Sequence, residues 1–383
     1  MFDCFVRFVR DAYQTNDFIP LHEPLFNGRE KEYMLDTIDS TFVSSVGAYV
    51  SRFEEDVASY TGAKYAVATV NGTAALHAAL LLAGVERGDE VITQSLTFVA
   101  TCNAIAYCGG EPVFVDVDRN HLGLSAEHLQ AYLDEHAEVR EGQAWNRTTS
   151  RRIAACVPMH TFGHSVDMDS IISICEKYTI PVVEDAAESL GSKWRNHHTG
   201  TLGNIGVLSF NGNKIITTGG GGMILTNCEE TAKRAKHLTT TAKVTHKWEF
   251  VHDEIGYNYR MPNINAALGV AQMEELPRFV AAKRVLAQHY KSWCEKHEVK
   301  MLHEPDNAYS NYWLNTLFLE DSDQRDAFLE YTNNNAVMTR PAWQAMHCLS
   351  MYAKCHHGSL ENTEWAMGCI VNIPSSVAKL AIV

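Results

Sequence analysis

Short apolar, β-branched runs alternate with helical patterns through the first two thirds of the chain. Residues 65–70 (YAVATV), 90–94 (EVITQ) and 180–184 (IPVVE) have the composition of buried strands. Further strands are predicted at residues 112–117, 153–159, 206–210 and 223–227. Nearly continuous apolar strands separated by helices predict an α/β fold with a large, mostly parallel sheet covered on both faces. In such a sheet, polar residues just after the strand ends line the ligand crevice.

The pattern changes near residue 256. The elements predicted beyond it are two helices, then a helix between two short strands: residues 263–276, 277–297, 313–319, 322–331 and 336–338. We therefore expect a large α/β domain at residues 21–255 and a smaller α+β domain at 256–383. Residues 1–20 are expected to pack on one of them.

Composition narrows the possible functions. The 383 residues are 46% apolar and 20% charged, as in a folded protein of about two domains. With 32 basic and 46 acidic side chains and no basic run, nucleic acid and anionic membranes are poor partners. No apolar stretch is long enough to span a bilayer. The 10 cysteines form no CxxC pair and the histidines lack zinc-site spacing, which predicts free thiols, no metal and a cytoplasmic location.

The richest stretch for chemistry is residues 209–222, SFNGNKIITTGGGG. Lys214 follows a predicted strand and precedes four glycines, which permit close backbone approach. A lysine in a partly desolvated site can act as an amine nucleophile and form a Schiff base with an aldehyde cofactor. The alternative is a surface lysine beside a flexible hairpin.

Three further elements follow predicted strands. Asp185 ends an apolar strand, where its carboxylate could keep the ring nitrogen of pyridoxal phosphate protonated; the alternative is a helix cap. Gly72 and Thr73 form a turn before a helix, whose free N–H groups suit a phosphate. Phe98 could stack on a planar cofactor or belong to the core.

In this order, these elements resemble the DegT/StrS-type nucleotide-sugar aminotransferases, pyridoxal-phosphate enzymes of the aspartate aminotransferase fold (fold type I). The resemblance extends from about residue 21 to 376. It rests on the motifs N71GTAAL76, Thr97-Phe98, H160TFG163, E184DAAES189, residues 209–214 with the glycines after them, and G256YNYR260.

The resemblance implies a role for each matching position. Lys214 would bind the cofactor covalently and Asp185 would pair with its ring nitrogen. The other cofactor contacts would be Gly72, Thr73 and Ser209 at the phosphate, Phe98 stacked on the ring, and Glu188 nearby. Asn258 would reach the cofactor phosphate of a neighbouring subunit, which implies a homodimer with shared active sites. Its alternative role is that of a turn residue in its own domain.

The resemblance also bears on the reaction. Lys214 stands where a dehydratase branch of the family carries His, which favours an aminotransferase over a dehydratase; a non-catalytic regulator is the third possibility. Residues 211–222, 340–343 and 371–376 resemble enzymes that transfer an amino group from glutamate to carbon 4 of UDP-linked 4-keto-6-deoxy-N-acetylhexosamines, for legionaminic acid or bacillosamine synthesis. The alternative substrate is a GDP- or dTDP-linked keto-sugar. His160, Arg260 and Arg340 are the candidate substrate ligands; the sequence leaves the nucleotide and the aminated carbon open.

Overall fold

The computed structural model describes residues 1–378. Its α-helices are α1 (Phe2–Tyr13), α2 (Glu30–Asp39), α3 (Ala48–Thr61), α4 (Gly72–Leu82), α5 (Val99–Tyr107), α6 (Ala126–His136), α7 (Met168–Lys177), α8 (Glu229–Thr239), α9 (Asn263–His297), α10 (Ser322–Asn334) and α11 (Glu361–Cys369).

The strands are short, and most of them lie in the first two thirds of the chain. They are β1 (Tyr65–Thr69), β2 (Glu90–Gln94), β3 (Glu111–Val115), β4 (Ala137–Arg140), β5 (Gln143–Asn146), β6 (Ile153–Val157), β7 (Val183–Asp185), β8 (Lys193–Trp194), β9 (His197–His198), β10 (Ile205–Ser209), β11 (Gly222–Thr226), β12 (Lys300–Met301), β13 (Ala308–Tyr309), β14 (Asn315–Phe318), β15 (Arg340–Pro341) and β16 (Ile370–Ile373).

A large sheet forms the centre of the fold. Its strand order is β3-β2-β6-β7-β10-β11-β1, with β6 and β7 joined by single parallel bridges. Only β11 among these strands runs antiparallel, to β10 on one side and β1 on the other. An antiparallel neighbour needs no crossover helix, so β10 connects directly to β11. The connecting loop, residues 210–221, carries Lys214 at the carboxyl end of β10. The predicted mostly parallel sheet is confirmed.

Both faces of this sheet are covered. In the paired strands β10 and β11, Val207 and Ile224 face α4 and α8, whereas Leu208 and Met223 face α3 and α9. Successive side chains of a strand point to opposite faces, so strands buried on both sides must be apolar at every position. This requirement explains the continuous apolar runs of the sequence.

A second, antiparallel sheet lies in the last third of the chain, in the order β12-β14-β16-β15. The end of α9, with α10 and the N-terminal helix α1, packs against it; Phe5 of α1 contacts Tyr290, Trp293 and Phe328. The division into residues 21–255 and 256–383 stays a prediction, because α9 contributes to both cores. Residues 379–383 lie outside the described part.

Two predictions for this region were wrong. Pro277 does not separate two helices: α9 runs through it unbroken. Proline removes one helical hydrogen bond at a cost of about 3 kcal/mol, but Leu276 and Phe279 beside it are almost fully buried, and each such burial contributes roughly 2–3 kcal/mol. Residues 336–338 form no strand; Val337 makes one parallel bridge with Ile19.

Two smaller expectations can also be compared with the structure. All ten cysteines carry free thiols, as predicted. No helix within residues 1–378 has the length and apolar character needed to cross a membrane. The cytoplasmic location stays a prediction.

Candidate active site

The carboxyl ends of β7 and β10 open onto a cavity of about 290 Å³. Helices α4 and α5 and the loop after β10 enclose it on three sides, and two segments from the last third of the chain supply a tryptophan each. The lining residues are Asn71, Gly72, Thr73, Leu76, Phe98, Ala100, Thr101, Met159, Asp185, Ala187, Glu188, Ser209, Asn211, Asn213, Lys214, Trp313 and Trp343.

One end of the cavity suits an anion. Helix α4 begins there, and its cap residue Asn71 accepts hydrogen bonds from Ala74 N through its side chain (2.8 Å) and from Ala75 N through its carbonyl (3.1 Å). The N–H groups of Gly72 and Thr73, in the first turn, have no acceptor within the helix. A Cβ on Gly72 would lie 2.9 Å from Ser209 Cβ and 3.0 Å from its Oγ. Glycine thus lets the helix end and the Ser209 hydroxyl come together.

The cavity also contains a buried carboxylate. Asp185 is 2% exposed; its Oδ2 accepts a hydrogen bond from Thr101 Oγ1 at 2.7 Å and its Oδ1 from Ala187 N at 3.2 Å. Burial raises the pKa of Asp185, and these two donors act against that rise. A cationic group placed against Asp185 would be a positively charged partner for this buried carboxylate and would favour its ionised form.

Lys214 lines the same cavity. Lys214 Nζ is 3.2 Å from Glu188 Oε1, and Glu188 Oε2 accepts a hydrogen bond from Phe162 N at 3.0 Å. Burial raises the pKa of Glu188 to about 7, although the lysine opposes the shift. The amine therefore faces a carboxyl group able to change its protonation state near neutral pH.

Sequence reasoning assigned no role to several pocket residues, among them Thr101, Trp313 and Trp343. Thr101 follows the Thr97-Phe98 motif by one turn of α5, a spacing that could have indicated a donor toward the strand ends. Trp313 and Trp343 come from distant segments, and no local signal places either of them in the cavity. Phe98 lines the mouth of the cavity with its side chain 48% exposed, 6.2 Å from Trp343 between ring centroids.

His160 does not reach the cavity, so its predicted substrate contact finds no support. Its ring is fully buried; Nε2 lies 3.0 Å from Glu184 Oε2 and Nδ1 accepts a hydrogen bond from Val166 N at 3.2 Å. Glu184 and Asp185 are consecutive in β7, so their side chains point to opposite faces of the sheet. His160 thus belongs with Glu184, behind the cavity.

The other candidate ligands also lie outside the cavity of their own chain. Asn258 is exposed and forms a backbone bridge with Thr240. Arg260 donates a hydrogen bond to the Thr240 carbonyl at 3.2 Å. Arg340 is exposed and bonds Asn333 and the Thr339 carbonyl. Their proposed contacts with substrate or with a second subunit stay predictions.

The cavity residues fit pyridoxal phosphate. The helix end beside Ser209 offers N–H and O–H donors to a phosphate, and the close approach at Gly72 leaves no room for a side chain there. Asp185 is positioned for a protonated ring nitrogen. Lys214, in the same cavity, supplies the amine that an aldehyde requires. Gly72, Thr73, Ser209, Asp185 and Lys214 would thus hold the group.

Known proteins share this chain's sequence and architecture. The GDP-perosamine synthase of Escherichia coli O157:H7 is 35% identical over 94% of this chain and 93% of its own length. EpsN of Bacillus subtilis (strain 168), described as a pyridoxal phosphate-dependent aminotransferase, is 37% identical over 90% of this chain and 86% of its own. The crystal structure of the aminotransferase TlmJ from Streptoalloteichus hindustanus superposes with a TM-score of 0.84 at 29% identity, covering 94% of this chain and 93% of that one.

The match to a protein family is equally extensive. Residues 25–379 match the DegT/DnrJ/EryC1/StrS aminotransferase family. This range contains every helix and strand described above except α1. The agreement in sequence and fold confirms fold type I and pyridoxal phosphate as the cofactor. The chain therefore belongs to the DegT/DnrJ/EryC1/StrS family and is a pyridoxal-phosphate-dependent sugar aminotransferase.

Proposed function

We propose that this protein transfers the amino group of glutamate to the keto carbon of a GDP-linked 4-keto-6-deoxyhexose, giving a GDP-perosamine-type amino sugar. The observation that carries the proposal is the single cavity lined by the Gly72 helix end, Asp185 and Lys214. The choice of nucleotide and sugar is supported by the nearly full-length similarity to a GDP-perosamine synthase. This choice corrects the preference for a UDP-sugar that the local motifs suggested.

Each cavity residue has a defined task in this proposal. The bound cofactor supplies an aldehyde that accepts the amino group and a ring that stabilises negative charge on the reacting carbon. The amine of Lys214, when it is not bonded to the cofactor, would move a proton between the donor's carbon and the cofactor. Asp185 would keep a proton on the ring nitrogen by electrostatic attraction. Glu188, 3.2 Å from Nζ, can exchange protons with the lysine.

The diphosphate of the substrate needs donors that this cavity does not offer. Among the described residues, Lys214 is the only cation that lines it, and diphosphates are usually held by Arg, Lys or backbone N–H groups. We propose that a second copy of the chain completes the site, forming a homodimer in which Asn258 and the exposed segment 243–255 face the partner's cavity. Trp248, Phe250 and Ile255 of this segment are 74–84% exposed, as expected for an unpaired contact surface.

A UDP-linked 4-keto-6-deoxy-N-acetylhexosamine remains the second candidate. The specific observation in its favour is the resemblance of residues 211–222 and 340–343 to enzymes that use such substrates. The two candidates differ in the base and in the group on carbon 2 of the sugar, so a substrate panel separates them.

The decisive experiment supplies purified protein and glutamate with GDP-, UDP- and dTDP-linked 4-keto-6-deoxy sugars. Mass spectrometry would detect the amino sugar, and glutamate omission provides the control. The proposal expects the highest kcat/KM with the GDP-sugar. A preference for the UDP-N-acetyl sugar would transfer the assignment to the second candidate, and no product from any keto-sugar would refute both.

A further inference from the structure

The indole ring of Trp313 lies over the amine of Lys214. The distance from Nζ to the ring centroid is 4.1 Å, and Glu188 Oε1 approaches the same amine at 3.2 Å. Trp313 is only 4% exposed, so little water competes for this contact. A cation over a tryptophan face is attracted by the ring quadrupole, more strongly when both are desolvated.

Hydrogen bonds hold Trp313 in this position. Its Nε1 donates to the carbonyl of Asn213 at 2.7 Å, so one side chain contacts both the amine of Lys214 and the backbone just before it. The backbone N of Trp313 donates to Asn311 Oδ1 at 2.7 Å. Its carbonyl accepts a hydrogen bond at 3.2 Å from Nζ of Lys283, a fully buried lysine. One hydrogen bond therefore holds the ring, and two hold the backbone that carries it.

The segment that carries Trp313 is also strained and reaches Glu188. Tyr312 has a φ of 47°, a left-handed conformation that bulky residues rarely adopt and that the surroundings must stabilise. Asn311 Nδ2 donates to the carbonyls of Glu188 (3.0 Å) and Leu190 (2.9 Å). The same short segment thus fixes both neighbours of the lysine amine, although it lies about a hundred residues further along the chain.

We propose that Trp313 is a positioning residue for Lys214. Its ring favours the protonated amine over the neutral one, and its Nε1 hydrogen bond holds the lysine loop. Together they keep Nζ in the cavity whenever the amine is not bonded to the cofactor. The proposal rests on the proposed role of Lys214 as the cofactor's attachment residue, but not on the identity of the sugar.

The test measures how fast cofactor-free protein captures pyridoxal phosphate at different pH values, by stopped-flow absorbance. Only the neutral amine attacks the aldehyde, so a group that stabilises the protonated amine moves the midpoint of this profile to higher pH. Trp313→Leu should therefore move the midpoint down by about one pH unit. Trp313→Phe keeps a weaker π face and should give a smaller shift in the same direction. Trp293→Leu removes a buried indole that packs against Phe5 of α1 and does not line the cavity, so it should leave the midpoint unchanged.

Each outcome decides the matter. A pH midpoint that is highest in the wild type, lower in Trp313→Phe and lowest in Trp313→Leu supports the proposal. If the Leu variant does not fold, the shift of the Phe variant is sufficient. An unchanged midpoint in Trp313→Phe with native circular dichroism overturns it, as does an equal shift in Trp293→Leu. Lys214→Ala distinguishes a failure of the role proposed for Trp313 from a failure of the role proposed for Lys214. Covalent capture of the cofactor that persists in this variant refutes the role of Lys214 itself.

Discussion

Replacing Gly72 by alanine tests the anion end of the cavity most directly. The new Cβ would lie 2.9 Å from Ser209 Cβ and 3.0 Å from Ser209 Oγ. Carbon atoms in good contact are about 3.5–4.0 Å apart. Either the start of α4 or the Ser209 side chain must therefore move by roughly half an ångström or more, and both are proposed to bind the cofactor phosphate.

Two opposing effects determine the stability of the variant without cofactor. Alanine is favoured over glycine inside a helix by up to about 1 kcal/mol, whereas overpacking costs about 1–3 kcal/mol. The free energy of unfolding should thus fall by no more than about 3 kcal/mol. Cofactor affinity should fall as well: losing one hydrogen bond to a charged group costs about 1.5–3 kcal/mol, which weakens binding roughly ten- to hundredfold.

The assay is a titration of cofactor-free protein with pyridoxal phosphate, followed by absorbance, beside chemical denaturation of the same samples. Gly368→Ala in α11 is the matched control, because a Cβ there meets nothing within 4 Å; it should leave the affinity unchanged. Ser209→Gly removes both atoms that clash with the new Cβ. In that background Gly72→Ala should have little further effect, so the double-mutant cycle should show strong coupling.

Two results would refute this reasoning. The first is wild-type affinity for pyridoxal phosphate in Gly72→Ala, which would mean that the helix end and Ser209 do not hold the phosphate. The second is an equal loss of affinity in the wild-type and Ser209→Gly backgrounds, which would place the effect somewhere other than the contact between the two residues.

Three more predictions concern the remaining cavity residues. Lys214→Ala should abolish the visible absorbance of the cofactor-bound protein, and wild-type turnover in this variant would contradict its role. Thr101→Val removes the 2.7 Å donor to Asp185 and should weaken cofactor binding about tenfold, while Thr101→Ser should bind normally in the same titration. Burial raises the pKa of Glu188 from 4.5 to about 7, so its stabilising contribution to the cofactor-free protein is complete below pH 4.5 and lost as the pH rises through 7. Denaturation at pH 5 and pH 8 should show this loss, up to about 3 kcal/mol, and Glu188→Gln should remove it.

Local sequence was informative wherever a functional residue directly follows a strand or begins a helix. The motif around Gly72 predicts its turn and helix because glycine and a capping Asn71 act within a few residues. Asp185 and Lys214 follow β7 and β10, and the carboxyl ends of parallel strands meet at one edge of a sheet. The cavity brings all three together, as their order along the chain predicted.

Residues whose role depends on long-range packing were not predictable in this way. His160 and Arg340 carry suitable chemistry, but the first is bonded to Glu184 behind the sheet and the second lies on an exposed edge strand. Pro277 has the local signature of a helix boundary, yet the helix continues because the residues around it are buried.

The order of apolar runs and turns along the chain predicted the α/β fold, because strand pairing and helix initiation depend on neighbouring residues. The motifs after the strands, through their resemblance to a known family, predicted an aminotransferase and the contacts of its cofactor. Folding in three dimensions selected which side chains surround the lysine amine. Trp313 reaches Lys214 from about a hundred residues away, and Thr101 meets Asp185 across the ends of two strands. Such contacts arise only when separate elements pack together, and no spacing within the sequence records them.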